Sequence, residues 1–455
     1  MHHQLNKVIE SDFLRKRIDD SINNKMKRGR VVIFTGRYAL FLWICLVVGL
    51  TAFPDTQCSS TFAALKNKKI LFCYCNPTVG LVKNSKEQIS KQSSRLRGSA
   101  VHKINQYKKL IDSGLDVVLF VVNDKEFAQE VVAMGSPCYS YTIKQSLENS
   151  LTELTSFFED VCSKEKIDLI HCRLPMEVMA AARVKHKFPV KIMMTLHTDA
   201  VARRASCLKH LDGALGVGPK TVEIIYKTMS ENSFAIKNID WIAPIFDEEK
   251  FLSFAPTIDK KTFFKREFGI NLKDCPLICS IANFYPGFKN HKVLLHAVHK
   301  LLRSNHIPVQ LVLAGIGPRM EEMKAMARKL NIQDNVYFVG HTTKTPELYY
   351  YSDINTLTSN SEAFGIVLLE GALMKKPLVG TKGTGMEGII KHGETGLLFK
   401  AGDDQDLANQ LKKLIDDPLL AQRLGQCAYD YATSNFLAKH GITRIAEFYA
   451  KVLGS

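Results

Sequence analysis

Short apolar runs alternate with amphipathic stretches along most of the chain after residue 65, and this alternation constrains the fold more than any other feature. Strands of a parallel sheet that is covered on both faces are continuously apolar, and the helices that cover them are amphipathic. The pattern therefore predicts an α/β doubly wound fold. The apolar runs that we interpret as strands are 68–75, 116–122, 167–172, 190–197, 276–284, 309–315, 335–340, 353–359 and 377–381.

The number of strands and the length of the chain indicate more than one domain. A chain of 455 residues is too long to share one hydrophobic core. We predict two Rossmann-like domains, an N-terminal one over residues 66–243 and a C-terminal one over residues 244–430. The second series of runs begins near residues 241–246. The amphipathic C-terminus predicts a helical tail, residues 431–455, that crosses back to the N-terminal domain.

Positive charge is concentrated near the N-terminus. The formal net charge is +16, of which the first 109 residues carry +14. The rest of the chain is close to neutral, so the composition gives little support for a nucleic-acid-binding protein. Residues 1–37 are a basic tail of the kind found on the cytoplasmic side of a membrane, and residues 83–109 form a second basic stretch. Anionic lipid headgroups are a suitable partner for both.

Residues 38–53 are uncharged and mostly apolar, and Arg37 precedes them. They are shorter than the about 20 residues of a usual transmembrane helix. An uncleaved N-terminal anchor is the favoured interpretation, because a leader of 37 residues is long for a secretory signal. A cleaved signal and a monotopic or buried helix stay open. Lys and Arg are denser before the segment, which places the N-terminal tail in the cytoplasm.

The eleven cysteines are scattered and lack the paired C-x-x-C spacing of zinc and redox sites. They are also too few and too widely spaced for a disulfide framework. The sequence therefore predicts buried free thiols.

The segment 359–399 carries the most informative chemistry. Glu362 and Glu370 are separated by seven residues, with Phe364 and Gly365 between them. We predict Glu362 in the loop before a helix and Glu370 within it, and eight helical steps would span about 12 Å. The helix start offers amides and a positive dipole end to a diphosphate, and the carboxylates accept hydrogen bonds from sugar hydroxyls. The alternative is a solvated helix with two surface glutamates.

Together these motifs resemble glycosyltransferase family 4, and the resemblance covers residues 68–455. It implies a GT-B fold, in which two Rossmann-like domains face a central cleft, and a retaining transferase with a nucleotide-sugar donor. Besides the E-x7-E block, the segments that carry the resemblance are 96–121, 167–172, 195–199, 241–251, 281–298 and 311–323.

The resemblance assigns roles to single residues. Lys289 corresponds to the lysine that neutralises the donor diphosphate, and it follows a predicted strand at the edge where open α/β sheets bind ligands. The family usually has an arginine six residues earlier, where this chain has Asn283. Arg319, in the loop after another strand, is a candidate substitute. His197 corresponds to the family histidine near the donor sugar. The alternatives are an ordinary surface lysine and a core or surface histidine.

The two glutamates receive the remaining side-chain roles. Glu362 is implied to bind hydroxyls of the donor sugar, and Glu370 to bind the ribose. Residues implied to contact the donor through main-chain or loop groups are Phe364, Gly365, Ile366, Gly98 and Ser99.

The implied reaction is glycosyl transfer with retention, by front-face attack of the acceptor hydroxyl. The co-substrate is a UDP or GDP sugar, and neither a cofactor nor a metal is expected. Asp404 and Asp406 form a D-x-D sequence, but they open a helical stretch and are predicted to cap it.

The basic stretch and the anchor favour an acceptor that is a lipid-linked or cell-envelope glycan, with Lys83, Lys86, Lys91, Arg95 and Arg97 near the lipid. Nucleotide sugars are made in the cytosol, so we expect a membrane-associated protein with a cytoplasmic catalytic body, although the charge bias around residues 38–53 would export that body. A nucleotide-sugar epimerase of the same fold and an inactive membrane-bound scaffold are the alternative functions.

Overall fold

The computed structural model describes residues 61–75, 109–122, 128–129, 132, 138–141 and 147–454. Outside the described residues lie the tail 1–37, the apolar segment 38–53, Gly98, Ser99 and the basic residues 83–108. No helix within the described ranges is long and apolar enough to cross a membrane.

The first domain is built on a seven-stranded parallel sheet with the strand order β3-β2-β1-β4-β5-β6-β7. The order changes direction at β1, which is the mark of a doubly wound sheet. Its strands are β1 (Lys69–Cys75), β2 (Asp116–Val122), β3 (Cys138–Tyr141), β4 (Leu169–Cys172), β5 (Lys191–Leu196), β6 (Gly213–Gly216) and β7 (Asn238–Trp241). Helices follow in the order α1 (Leu147–Glu165), α2 (Pro175–Val184), α3 (Asp199–Ala202), α4 (Ala205–Leu208) and α5 (Pro219–Glu231).

The second domain is built on a six-stranded parallel sheet with the order β10-β9-β8-β11-β12-β13. Its strands are β8 (Leu277–Ile281), β9 (Gln310–Ala314), β10 (Val336–Gly340), β11 (Ile354–Leu357), β12 (Leu378–Thr381) and β13 (Leu397–Phe399). Its α-helices are α6 (Glu249–Leu252), α7 (Lys260–Phe268), α8 (His291–Arg303), α9 (Met320–Lys329), α10 (Thr345–Tyr351), α11 (Ile366–Leu373), α12 (Asp404–Asp416) and α13 (Pro418–Asn435). The short 3₁₀ turns are Gln333–Asn335 and Gly385–Gly388. The predicted α/β fold with two Rossmann-like domains is therefore confirmed.

The structure differs from the sequence prediction at two places along the chain. Trp241, which we expected at the start of the second series, ends β7 in the first sheet. The limit expected at residue 430 falls inside α13, which continues to Asn435.

The last helix, α14 (Ala438–Leu453), packs against the first sheet. A Cβ on Gly213 of β6 would lie 2.5 Å from Val452 Cγ2, so the helix and the strand are in direct contact. Tyr449 on α14 is fully buried, and its hydroxyl lies 2.8 Å from His171 Nδ1 on β4. The chain thus returns from the second domain to complete the core of the first.

Candidate functional site

The carboxyl ends of the two sheets meet near Gly218 and Ala363. Gly218 follows β6 in the first domain, and Ala363 lies between β11 and α11 in the second. A Cβ on Gly218 would stand 2.3 Å from the carbonyl oxygen of Ala363, so the two backbones are in close contact. Trp241 and Phe364 pack beside this contact with ring centroids 6.3 Å apart. Open α/β sheets bind ligands at this edge, so a ligand site is expected in the loops around Ala363.

Lys289 and Glu362 form an ion pair at this edge of the second sheet. Lys289 follows β8, Glu362 follows β11, and these two strands are paired. Lys289 Nζ donates to Glu362 Oε2 across 2.6 Å, and the side chains are 30% and 18% exposed. An ammonium has three protons to donate, so two of them stay available for a ligand beside Glu362.

The loop that carries Glu362 is held by a glycine turn after β12. Gly385 N donates to the carbonyl oxygen of Glu362 across 2.7 Å. A Cβ on Gly385 would lie 1.9 Å from the carbonyl oxygen of Ala363, so no larger residue fits there without moving the loop. The turn is tied further by Glu387 Oε1, which accepts from Gly383 N at 2.7 Å. The turn thus fixes the backbone that positions Glu362.

Helix α11 begins at Ile366, and Gly365 precedes it with φ +95°, a left-handed conformation that favours glycine. Gly365 has no side chain that could cap the helix, which leaves its first amides open to an anion. The predicted separation of about 12 Å between Glu362 and Glu370 assumed eight helical steps. This assumption was wrong, because only the steps from Ile366 to Glu370 are helical. Phe364 is buried with its ring against Phe436, so it can offer only its main chain.

Glu370 lies in the second turn of α11 and is only 6% exposed. Burial raises the pKa of its carboxyl, and this is opposed by the nearby Lys250 charge and by a hydrogen bond from Tyr349. The Tyr349 hydroxyl donates to Glu370 Oε2 across 3.0 Å. The alternative of two glutamates on a solvated helix face is therefore wrong, since neither carboxylate points freely into water.

Asn283 follows β8 at the position of the expected arginine. Its Oδ1 accepts from Ile316 N across 3.2 Å, which links this loop to the turn after β9. That turn requires glycine at residue 315, where φ is +145° and a Cβ would lie 2.3 Å from the Ala282 oxygen. Arg319 forms two contacts of 2.7 Å with Glu322, so its guanidinium is already engaged in an ion pair.

His197 directly follows β5 at the carboxyl edge of the first sheet. Arg173, which follows the neighbouring strand β4, lies with Nη2 2.7 Å from His197 Nε2. A guanidinium can only donate, so His197 Nε2 accepts and carries no proton in this arrangement. The structure thus brings a cation beside the predicted histidine.

Residues 260–431 match the family described as Glycosyl transferases group 1. The N-acetyl-alpha-D-glucosaminyl L-malate synthase of Bacillus anthracis is 26% identical over 389 residues, which are 83% of this chain and 96% of the relative. The second domain therefore carries the sequence of a group 1 glycosyltransferase. The chain is an enzyme of the hexosyltransferase class.

Two solved structures have the same fold as this glycosyltransferase. The glycosyltransferase from Rickettsia africae ESF-5 aligns with a TM-score of 0.67 and 18% identity over 85% of this chain and 99% of its own. Anabaena Alr3699/HepE, solved in complex with UDP and glucose, aligns with a TM-score of 0.65 and 18% identity over 84% and 100%. The two-domain arrangement described above is thus shared along nearly the whole length of both proteins.

Sequence reasoning missed two residues of the candidate site in this glycosyltransferase. Arg173 follows the apolar run at 167–172, and its place after a strand was a usable signal. Tyr349 contacts Glu370 from α10, and nothing in the spacing of the two residues indicates that contact.

The D-x-D sequence lies in the first turn of α12, away from these loops. Asp403 is the N-cap and accepts from Asp406 N, while Asp406 Oδ2 accepts from Lys400 N at 2.8 Å. The helix is therefore capped by Asp403 and not by either acid of the D-x-D sequence, and Asp404 pairs with Lys300 Nζ at 3.4 Å. The cysteines that the structure describes are free, and Cys73, Cys162, Cys172, Cys207 and Cys279 among them are buried.

Proposed function

We propose that this glycosyltransferase moves a hexosyl group from a nucleoside-diphosphate sugar to an acceptor hydroxyl with retention at the anomeric carbon, as the resemblance to family 4 implies. The observation that carries the proposal is the ion pair of Lys289 and Glu362 beside the uncapped start of α11. The ammonium of Lys289 suits a diphosphate, and the carboxylate of Glu362 suits sugar hydroxyls.

In the proposed reaction the donor diphosphate lies between Lys289 and the first amides of α11. The bond between the anomeric carbon and the diphosphate breaks, and a bond to the acceptor oxygen forms on the same face. The acceptor proton passes to the departing phosphate oxygen. Lys289 and the helix amides stabilise the charge that develops on the leaving group, which is the largest contribution in many such sites. No step of this scheme requires a metal.

Glu362 and Glu370 would bind opposite ends of the donor. Glu362 is held in place by Lys289 and by the glycine turn, so its free oxygen can accept from a sugar hydroxyl. Glu370 is oriented by Tyr349 and would accept from the ribose. Main-chain groups of Phe364, Gly365 and Ile366 would contact the phosphate and the sugar, as the resemblance implies.

A UDP sugar is the favoured donor. The Anabaena structure with the same fold is described as a complex with UDP and glucose, which supports a uridine nucleotide over a guanosine one. His197, at the end of β5, would lie near the transferred sugar.

Two acceptors have support. The apolar segment 38–53 and the basic residues 83–109 favour a lipid-linked or envelope glycan at a membrane surface, with the catalytic body in the cytoplasm. The pair of Arg173 and His197 at the edge of the first sheet favours a small anionic hydroxy acid instead. The name of the Bacillus anthracis relative, which contains L-malate, supports that second acceptor.

Donor identity is tested with the purified full-length chain in detergent. Thermal shifts against UDP, GDP and ADP sugars should show a rise in melting temperature with one nucleotide class, since a ligand that binds the folded state stabilises it. No shift with any of them would favour an inactive scaffold. Product analysis then separates transfer from epimerisation, because an epimerase converts the donor without any acceptor.

Acceptor class is tested by supplying the donor with either vesicles that carry a lipid-linked glycan or free L-malate. Transfer to the vesicle-bound acceptor alone would support the membrane proposal. Transfer to L-malate would support the hydroxy acid, and the anomeric configuration of either product, read by NMR, tests retention.

A further inference from the structure

Two cysteines and one glutamate form a buried cluster in the first domain, outside the loops that contain Lys289 and Glu362. They are Cys73 on β1, Cys172 at the end of β4 and Glu177 in the first turn of α2. Their ligand atoms all lie within 4.8 Å of one another. Each of the three residues is at most 1% exposed. The proposed transfer reaction uses none of them.

The fold itself brings the three side chains together. Strands β1 and β4 are parallel neighbours, with Phe72 opposite His171, so the next residues along them are Cys73 and Cys172. Side chains alternate between the faces of a strand, and both cysteines belong to the core on the α1 and α2 side of the sheet. Helix α2 starts soon after β4 and presents Glu177 to the same face.

One oxygen of Glu177 is held and the other is not. Oε2 accepts from Arg173 N at 2.7 Å and from Leu174 N at 2.9 Å. Oε1 is buried and has no hydrogen-bond partner. A buried acceptor without a hydrogen-bond partner destabilises the folded state. A carboxylate that is fixed through one oxygen, with the other free beside two sulfur atoms, has the arrangement of an oriented metal ligand.

We propose that Cys73, Cys172 and Glu177 bind a structural Zn²⁺ ion. Thiolate sulfur and carboxylate oxygen are both zinc ligands, and soft thiolates select zinc over magnesium or calcium. Binding releases the two thiol protons to solvent and leaves two sulfur–zinc bonds and one oxygen–zinc bond. Zinc takes four ligands, so a water molecule would complete the set.

The ion would influence the carboxyl edge of the first sheet, where His197 lies, through the main chain of Arg173. Glu177 accepts from the main-chain amide of Arg173, whose side chain contacts His197. Zinc therefore fixes the start of α2 and with it the loop that presents Arg173. This role is structural and independent of the proposed donor chemistry, so its test does not depend on glycosyl transfer.

The test is a cobalt titration of the full-length chain after removal of bound metal under reducing conditions. Co²⁺ replaces Zn²⁺ in tetrahedral sites, and thiolate ligands give an intense charge-transfer absorption. We expect one cobalt per chain with that absorption, and its loss on addition of one equivalent of Zn²⁺. Wild-type protein that gives no such absorption would overturn the proposal and leave Glu177 as a protonated core acid.

Matched variants assign the ligands. Cys172→Ser should lower the charge-transfer intensity to about half and abolish stoichiometric zinc in the purified protein. Cys279→Ser is the control, because Cys279 is equally buried but lies on β8 in the other sheet. Equal loss in both variants would contradict the assignment. Circular dichroism verifies that each variant folds, and if Cys172→Ser does not fold, the wild-type titration decides alone.

Discussion

Lys289 Nζ and Glu362 Oε2 lie 2.6 Å apart although 73 residues separate them in the chain. Each residue follows one of two neighbouring strands, so the sheet brings the loops together. A partly exposed ion pair of this kind contributes little to stability, about 0–1 kcal/mol. In the proposed reaction its importance is in preorganisation, because the ammonium and the carboxylate would be fixed before a donor arrives and would not reorganise during the reaction.

Lys289→Met should therefore reduce transfer far more than it reduces stability. Loss of one preorganised group that stabilises a developing anion lowers kcat by about 10²–10³-fold. The measurement is steady-state kinetics with the donor found by thermal shift. Lys292→Met is the matched control, because Lys292 lies on α8 with its side chain 44% exposed and paired with Glu322. Similar losses of kcat in the two variants would show that the overall positive charge of the protein, and not the position of Lys289, is responsible.

Glu370→Gln is expected to weaken donor binding. The buried carboxylate of Glu370 accepts from Tyr349 and is proposed to accept from the ribose, and a hydrogen bond to a charged group contributes about 1.5–3 kcal/mol. The KM for the donor should rise about 10–100-fold, with a smaller effect on kcat. Tyr349→Phe leaves the carboxylate in place but unoriented, and a smaller rise is expected. An unchanged KM in Glu370→Gln would remove Glu370 from the donor site.

Gly218→Ala tests the contact between the domains. Gly218 is extended, at φ −176°, a conformation that alanine adopts without strain, so the effect comes only from the Cβ. That atom would lie 2.3 Å from the Ala363 oxygen and displace the loop of Glu362. A displacement of about 1 Å near the reacting groups can lower the rate about 10²-fold. Kinetics and a thermal melt on the same sample give the result, and full activity would mean that the loop tolerates the shift.

Most strands were predictable because a strand that is buried on both faces needs a continuous apolar run. The exceptions were β3, β6, β7 and β13. Strand β6 reads GALG, with two glycines, and β13 has only three residues, so neither produces an apolar run of ordinary length. These strands form through pairing with neighbours that are already in place, which is a tertiary effect.

The candidate site was predictable only in part. The positions of Glu362 before a helix and Glu370 within it followed from local pattern and agree with the structure. The hydrogen bond from Tyr349 and the contact of Gly218 with Ala363 join separate elements, so no local pattern indicates them. The roles assigned to His197, Asn283 and Lys289 stay predictions, of which the Lys289→Met variant tests the last.

His291, two residues after Lys289, should make stability depend on pH. It stacks on Phe284 with ring centroids 4.2 Å apart, and it is 6% exposed. Its pKa is lowered from 6.5 to about 4, chiefly because burial disfavours the charged imidazolium. A hydrogen bond to Ala282 opposes this shift, and the nearby charges of Lys289 and Arg319 add to it.

The folded pKa of His291 is depressed, so the unfolded chain binds its proton first as the pH falls. The contribution of the neutral imidazole is complete above pH 6.5 and is lost progressively as the pH falls toward about 4. Between pH 7 and pH 5 this one residue should lower the free energy of unfolding by ~2 kcal/mol. Urea unfolding followed by circular dichroism measures the change.

His291→Leu removes the titrating group and keeps an apolar side chain against Phe284. The free energy of unfolding of the variant, measured relative to that of wild type, should therefore rise by ~2 kcal/mol as the pH falls from 7 to 5. His296→Leu, at a partly exposed position of the same helix, is the control and should follow wild type. The opposite result is a difference in the free energy of unfolding between His291→Leu and wild type that stays constant from pH 7 to pH 5. The imidazole would then not remain neutral in the folded protein. Its Nε2 atom, which the structure leaves buried without a partner, would have to be reached by water.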